Sequence, residues 1–131
     1  MKLEHIGLSV AQPITMARWY QQHLGFTIER SAGTDVDGVA FIADQSGQVM
    51  LELFMLPGTP PLPYQSMAPL QLHLAVLSDD PERDNLRLQQ AGATYIEHCA
   101  RKMPGDLLIL LRDPWDAVIQ LVRRGTPIAD H

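Results

Sequence analysis

The sequence is poor in cysteine, in basic charge and in uninterrupted apolar stretches, and each shortage closes off a class of protein. Cys99 is the only cysteine, so no disulfide can form within the chain and no multi-cysteine zinc centre can be built. A reducing, cytoplasmic setting is therefore expected. The longest stretch without Asp, Glu, Lys or Arg, Leu53 to Ser78, contains Pro57, Gly58, Pro60, Pro61, Pro63 and Pro69. A membrane-spanning helix does not survive that many breaks, and no membrane partner is expected. Ten Lys+Arg against fifteen Asp+Glu leave a net charge of −5, which offers a phosphate backbone no attractive field, so nucleic acid is not an expected partner. The opening Met1-Lys2-Leu3-Glu4-His5 has no charged segment followed by an apolar run, and no signal peptide is expected there.

What is present is an ordinary globular composition, 46% hydrophobic and 19% charged over 131 residues, enough for a single domain with a real core. Leu3 to Val10 alternates, with Ile6, Leu8 and Val10 on one face and His5, Gly7 and Ser9 on the other, which predicts a half-buried strand. Pro13 opens a stretch in which Ile14, Ala17, Trp19, Tyr20 and Leu24 recur at helical spacing, and Gly25 is placed to end that helix. Phe26–Arg30, Val39–Ile42 and Val49–Met55 read as strands, the last two separated by the turn-like Asp44-Gln45-Ser46-Gly47. After the proline-rich segment the order returns. Leu70–Leu77 reads as a strand, Asp79-Asp80-Pro81 as a helix start, and Gly92 as a helix end, with further strands over Thr94–Glu97, Leu107–Leu111 and Ala117–Val122.

The chain thus reads as two copies of βαβββ, and one offset relates them. Pro13 and Pro81 are separated by 68 positions, as are Gln21 and Gln89, Gln22 and Gln90, Ile28 and Ile96, Glu29 and Glu97, and Leu53 and Leu121. Such self-similarity marks a duplicated unit. The expected fold is α+β: two tandem βαβββ modules forming a cupped eight-stranded mixed sheet with the helices outside. Module 1 spans about 1–56, a Pro-rich linker about 57–69, module 2 about 70–124 and a tail 125–131.

The same offset relates His5 to His73 and Glu52 to Gln120. All four fall on predicted strands, where the alternation turns them away from the apolar face. Two imidazoles and two side-chain oxygens suit a divalent ion such as Zn, Ni, Co, Mn or Fe, and a site with open positions can polarise substrate oxygens. With Glu52 as the sole carboxylate, a bound dication keeps about one positive charge and favours anionic, paired oxygens.

These residues also carry a family resemblance. His5, the helix Met16-Ala17-Arg18-Trp19-Tyr20-Gln21-Gln22-His23-Leu24-Gly25-Phe26, the strand Leu51-Glu52-Leu53, His73, and Asp113-Pro114 ahead of Ile119-Gln120-Leu121 resemble the vicinal oxygen chelate superfamily. That group includes glyoxalases, methylmalonyl-CoA epimerase, extradiol dioxygenases, and fosfomycin and bleomycin resistance proteins. The resemblance implies a homodimer and metal ligands at His5, Glu52, His73 and Gln120. It departs from the family at Gln120, where metal-bearing members usually have Glu, and at Asp116, where the turn often has glycine.

The function expected is that of a metal-dependent lyase or isomerase of glyoxalase type. It would act on a small substrate with vicinal oxygens, through proton transfer and a metal-stabilised enolate or enediolate, with Glu52 as the proton-transferring residue. Two alternatives remain open. His5, His73 and Glu52 alone form a two-histidine, one-carboxylate set suited to iron(II) and an extradiol-type dioxygenase. A metal-free small-molecule binder of the antibiotic-binding kind would use an apolar cleft, with Trp19, Tyr64 and Trp115 as candidate lining. His23 and His98 read as surface or packing histidines, Cys99 as a small apolar residue, and Arg101 to Gly105 as a solvated loop.

Overall fold

The computed structural model describes residues 1–129, so the end of the expected tail, Asp130 and His131, lies outside the described residues. Its elements follow the βαβββ order twice: β1 (Ile6–Ser9), α1 (Pro13–Leu24), β2 (Thr27–Gly33), β3 (Gly38–Ala43) and β4 (Met50–Met55), then β5 (His73–Leu77), α2 (Pro81–Gln90), β6 (Thr94–His98), β7 (Leu107–Arg112) and β8 (Val118–Arg123). Two compact units result, Met1–Pro63 and Tyr64–His131. Each holds a four-stranded mixed sheet, ordered β1-β4-β3-β2 in the first and β5-β8-β7-β6 in the second. The architecture is α+β with eight strands in two βαβββ modules, as expected. No helix among the described residues is long and apolar enough to cross a membrane.

In the first unit α1 covers one face of the sheet. Met16, Ala17 and Tyr20 from the helix are buried with Leu8, Ala40, Ile42, Leu51 and Leu53 from the strands, the period-3.6 stripe meeting the period-2 stripe. Gly25 ends α1 in the left-handed region at φ 71°, its N–H donating to the Tyr20 carbonyl. The start of α1 is capped from a distance. Gln12 makes no side-chain cap; instead Asp35, in the β2–β3 loop, accepts from the backbone N–H of Ile14 and Thr15, both at 2.9 Å, and from the Thr15 hydroxyl. Burial works to raise the Asp35 pKa, but the Thr15 and Ile14 hydrogen bonds and the nearby Arg18 outweigh it and hold the carboxyl below its ordinary value.

In the second unit Asp80 caps α2 locally, accepting from the Arg83 N–H at 3.1 Å, as its place before Pro81 leads one to expect. The central strands differ from those of the first unit. Residues 108–111 and 118–122 are buried one after another, where β4 alternates between buried and half-buried. A single 3-10 turn, Tyr64–Ser66, lies in the proline-rich segment. Arg112 fastens it by donating to the carbonyls of Tyr64 (2.8 Å) and Met67 (2.9 Å). Tyr64 is buried, and burial, with the charge of Asp113 added, pushes its phenol up to about 12.

Three expectations need correction. The strand read as Leu70–Leu77 begins only at His73, because Pro69 and Leu70 form a turn in which the Gln71 N–H donates to the Ala68 carbonyl. Leu70 is consequently exposed. Likewise β1 starts at Ile6, leaving Leu3 in solvent and His5 just ahead of the strand. Finally, Ile28 and Glu29 do not match Ile96 and Glu97 in the ladders. Both second strands carry a β-bulge, and Ile28 pairs with Ile42 as Tyr95 pairs with Leu111, so the local offset is 95 − 28 = 67. The α1-to-β2 connection is one residue longer than its copy, the second hairpin is two longer than the first, and the last turn is one shorter. These differences cancel, returning the offset to 68 at β4 and β8.

The β7–β8 turn concentrates polar satisfaction on one buried carboxylate. Asp113 is 2% exposed, and its Oδ1 accepts from the N–H groups of Trp115 (2.9 Å) and Ala117 (3.0 Å). Asp116 follows at φ 69°, the only non-glycine residue in the left-handed region among those described, a conformation Asp tolerates better than most. Asp113→Ala strands two inward-facing donors and should cost about 2–3 kcal/mol, whereas Asp113→Asn keeps an acceptor and should cost less. Denaturant unfolding of the two variants beside wild type measures the difference.

Candidate functional site

The sheets place the four candidate ligands as two pairs, one pair within each unit. In the first, the parallel β1–β4 register sets Gly7 opposite Glu52, and His5, two residues earlier, reaches the same side. His5 Nε2 lies 3.9 Å from Glu52 Oε2, while His5 Nδ1 is hydrogen-bonded to the Glu4 carboxylate. Phe41, paired with Glu52 on the neighbouring strand, stands edge-on to the imidazole with ring centroids 5.4 Å apart. Gly7 is what leaves room. A Cβ there would come within 3.3 Å of Glu52 Oε1, tight enough to displace the carboxylate. A cavity of about 280 Å³ beside this pair is lined by Glu4, Glu29, Arg30, Phe41 and Met50.

The second unit repeats the arrangement. Ala75 lies opposite Gln120 in the parallel β5–β8 register, so the smallest side chains, Gly7 and Ala75, face the two oxygen donors. Gln120 is buried and turns its amide nitrogen toward Cys99 Sγ at 3.7 Å. Its carbonyl oxygen has no hydrogen-bond partner among the described residues. His73 is half-buried, and its Nδ1 is the one buried side-chain polar atom among the described residues without a hydrogen-bond partner. Such an atom carries a desolvation cost that a ligand could relieve. Further along the same two strands, a cavity of about 620 Å³ is lined by Ala75, Leu77, Val122, Arg124 and Ile128 among others.

No group of three or more His, Cys, Asp or Glu that could hold a metal is assembled among the described residues. The donor sets are nevertheless chemically suited to a divalent cation: an imidazole beside a carboxylate in one unit, and an unpartnered imidazole nitrogen with a free amide oxygen in the other.

Other sequence expectations fall differently. Trp19 and Tyr64 are buried rather than lining an open cleft, and Trp115 is half-buried. His23 packs against Trp19, ring centroids 5.2 Å apart, as a packing histidine should. Arg124, just after β8, ion-pairs with the buried Asp106 at 2.6 Å. The Gly125 N–H and then Arg124 hold the Asp106 carboxyl below its ordinary value. The segment read as a tail supplies Pro127, Ile128 and Ala129 to the 620 Å³ cavity. Its apolar residues were the available signal.

The hydrogen bond that His5 donates to the Glu4 carboxylate raises its pKa above the ordinary 6.5; desolvation opposes the rise, and the charges of Glu4 and Glu52 add to it. A raised folded-state pKa means that protonated His5 favours the fold at low pH, a contribution lost as pH climbs through the folded value. An NMR titration should place the His5 midpoint above 6.5, and Glu4→Gln should move it down.

The profile of the Glyoxalase/Bleomycin resistance protein/Dioxygenase superfamily matches residues 2–121. Comparison with curated proteins finds no match. Among solved structures, the chain is similar to a glyoxalase family protein from Bacillus cereus, at 15% identity and TM-score 0.75, covering 93% of each chain. It is similar also to a glyoxalase I variant from Zea mays, at 17% identity and TM-score 0.71, covering 95% of this chain and 46% of that one. A third is TnmS3, an antibiotic binding protein from Streptomyces sp. CB03234, at 22% identity and TM-score 0.59, covering 92% of this chain and 96% of that one. At these identities the likeness is one of fold.

Proposed function

The chain belongs to the Glyoxalase/Bleomycin resistance protein/Dioxygenase superfamily, and from that premise we propose that it is a metal-dependent lyase or isomerase of glyoxalase type. Its substrate would be a small molecule with vicinal oxygens. The observation that supports this reading is a repeated register, in which Gly7 lies opposite Glu52 and Ala75 opposite Gln120 across parallel strands, with His5 and His73 each two residues before the small residue. His5 and Glu52 from one module, with His73 and Gln120 from the other, would hold a divalent cation. The two halves would come from one chain or from two copies in a homodimer. Bound there, the cation would supply Lewis-acid polarisation of the substrate's paired oxygens.

The protein's own groups divide the remaining work. Glu52 is the only carboxylate in the set, so a Glu52 oxygen takes the proton from carbon next to the substrate carbonyl and returns it to the adjacent position. Gln120, a neutral amide, orients but cannot act as a base. Phe41, edge-on to His5, fixes the ring, and Gly7 keeps the space in which Glu52 moves.

A second reading rests on the cavity of about 620 Å³ in the second unit, whose size suits a drug-sized molecule. In that case the protein binds a small apolar ligand without metal, as the similar fold of an antibiotic binding protein allows.

Elemental analysis after loading with nickel, zinc, cobalt, manganese or iron decides between them. Stoichiometric uptake in wild type, lost in His5→Ala, Glu52→Gln and His73→Ala proteins of unchanged circular dichroism, is the expected result; no uptake of any of these ions removes the metal-dependent reading. Iron-dependent oxygen consumption with a catechol would instead mark a dioxygenase. If two copies share each centre, mixing His5→Ala with His73→Ala protein should restore uptake.

A further inference from the structure

Away from the paired strands, the second unit carries a chain of three hydrogen-bonded polar side chains. The Tyr95 hydroxyl lies 2.7 Å from His98 Nδ1, and His98 Nε2 lies 2.7 Å from Glu82 Oε1. The bulge in β6 makes this possible. Residues three apart on a regular strand point to opposite faces, but the extra residue between Tyr95 and Glu97 shifts the register, so that Tyr95 pairs with Leu111 and His98 with Ile109. Both partners belong to one face of β7, which turns Tyr95 and His98 to the same side. Glu82 reaches them from the first turn of α2.

The proton positions follow from the partners. A carboxylate only accepts, so His98 Nε2 carries the hydrogen toward Glu82, and in the neutral imidazole Nδ1 is left to accept from the Tyr95 hydroxyl. That is the polarity of an activated nucleophile: a carboxylate orients an imidazole, which stands ready to take the proton of a hydroxyl. Module 1 has the same bulge but not the chemistry. By the ladder offset of 67, Tyr95 and His98 correspond to Ile28 and Ser31, and by the helix offset of 68, Glu82 corresponds to Ile14. The relay therefore belongs to one copy and is not required by the scaffold. Of the three tyrosines, Tyr95 is 41% exposed, whereas Tyr20 and Tyr64 are buried.

We propose that Tyr95 is a covalent acylation site, a phenol activated by His98 and open to activated acyl esters. The Tyr95 oxygen bonds to the acyl carbon, its proton passes to His98 Nδ1, the ester carbon–oxygen bond breaks, and the leaving group departs as the anion. Glu82 holds the imidazolium that forms. Water then cleaves the tyrosyl ester, its hydroxyl going to the acyl carbon and its hydrogen to the phenol oxygen, while the imidazolium gives its proton to solvent, so that the carboxylic acid leaves and both phenol and neutral imidazole are restored. Glu82 is a positioning residue here; Tyr95 and His98 act directly.

The test uses full-length protein and p-nitrophenyl acetate, with release of p-nitrophenolate followed in rapid mixing and the acetylated residue located by peptide mass spectrometry. A burst should accompany acetylation of Tyr95. Tyr95→Phe, which keeps the ring beside His98, should abolish both. His98→Gln should slow acylation by about a hundredfold, within the usual range for general base catalysis. Glu82→Gln should lower the acylation rate constant by about tenfold while leaving the half-saturating ester concentration unchanged, and Glu82→Asp should recover part of it. Acetyl groups found only on lysines or the N-terminus, or Tyr95 acetylated as fast in His98→Gln as in wild type, would overturn the assignment and leave the trio a surface clamp.

Discussion

The arrangement rests on the parallel pairing of the first and last strand of each module. A parallel connection needs a crossover, and here the crossover contains the helix and the two intervening strands, so β1 meets β4 and β5 meets β8 only after the whole module has been laid down. Residues far apart in sequence are thereby brought close: Glu52 faces Gly7, two residues after His5, and Gln120 faces Ala75, two residues after His73. Sheet geometry sets their separation along and across the strands, which is why the same offset recurs in both copies although most residues around it differ. The helices contribute by covering the opposite face, which leaves the polar side chains the other one.

Much of this was legible because it is written in periodicities. Alternation in Leu51-Glu52-Leu53 fixes which way Glu52 turns, and Pro13, Gly25, Pro81 and Gly92 punctuate the helices by backbone rules that hold in any context. Illegible features were those settled by partners distant in sequence. Nothing near Gln12 announces that Asp35 will cap α1 from another loop. The 3-10 turn at Tyr64 owes its fastening to Arg112, a residue just past the strand read as Leu107–Leu111. The unpartnered Nδ1 of His73 is likewise a property of packing, not of spacing.

The bulges explain the most instructive error. Identity at Ile28 and Ile96, and at Glu29 and Glu97, suggests equivalent positions, yet the ladders make Tyr95 the counterpart of Ile28. Small insertions and deletions offset one another between the helix and the last strand, so one offset fits both ends of the modules and fails in the middle. A slip of one residue in a strand reverses the side to which every residue points. Equivalence by identity would have sent His98 to the wrong face and hidden its meeting with Tyr95 and Glu82.

Duplication also lets the two edges of the same sheet design diverge separately. The parallel strand pair lies at one edge of each sheet and the bulged strand at the other. At the first edge both modules keep a histidine and an oxygen donor, His5 and Glu52 in one and His73 and Gln120 in the other. At the second the copies have diverged, with Ile28, Ser31 and Ile14 in module 1 where module 2 has Tyr95, His98 and Glu82. A bulge left in both copies costs the same backbone pairing in each. Only in the second does the bulged edge carry three hydrogen-bonded polar groups.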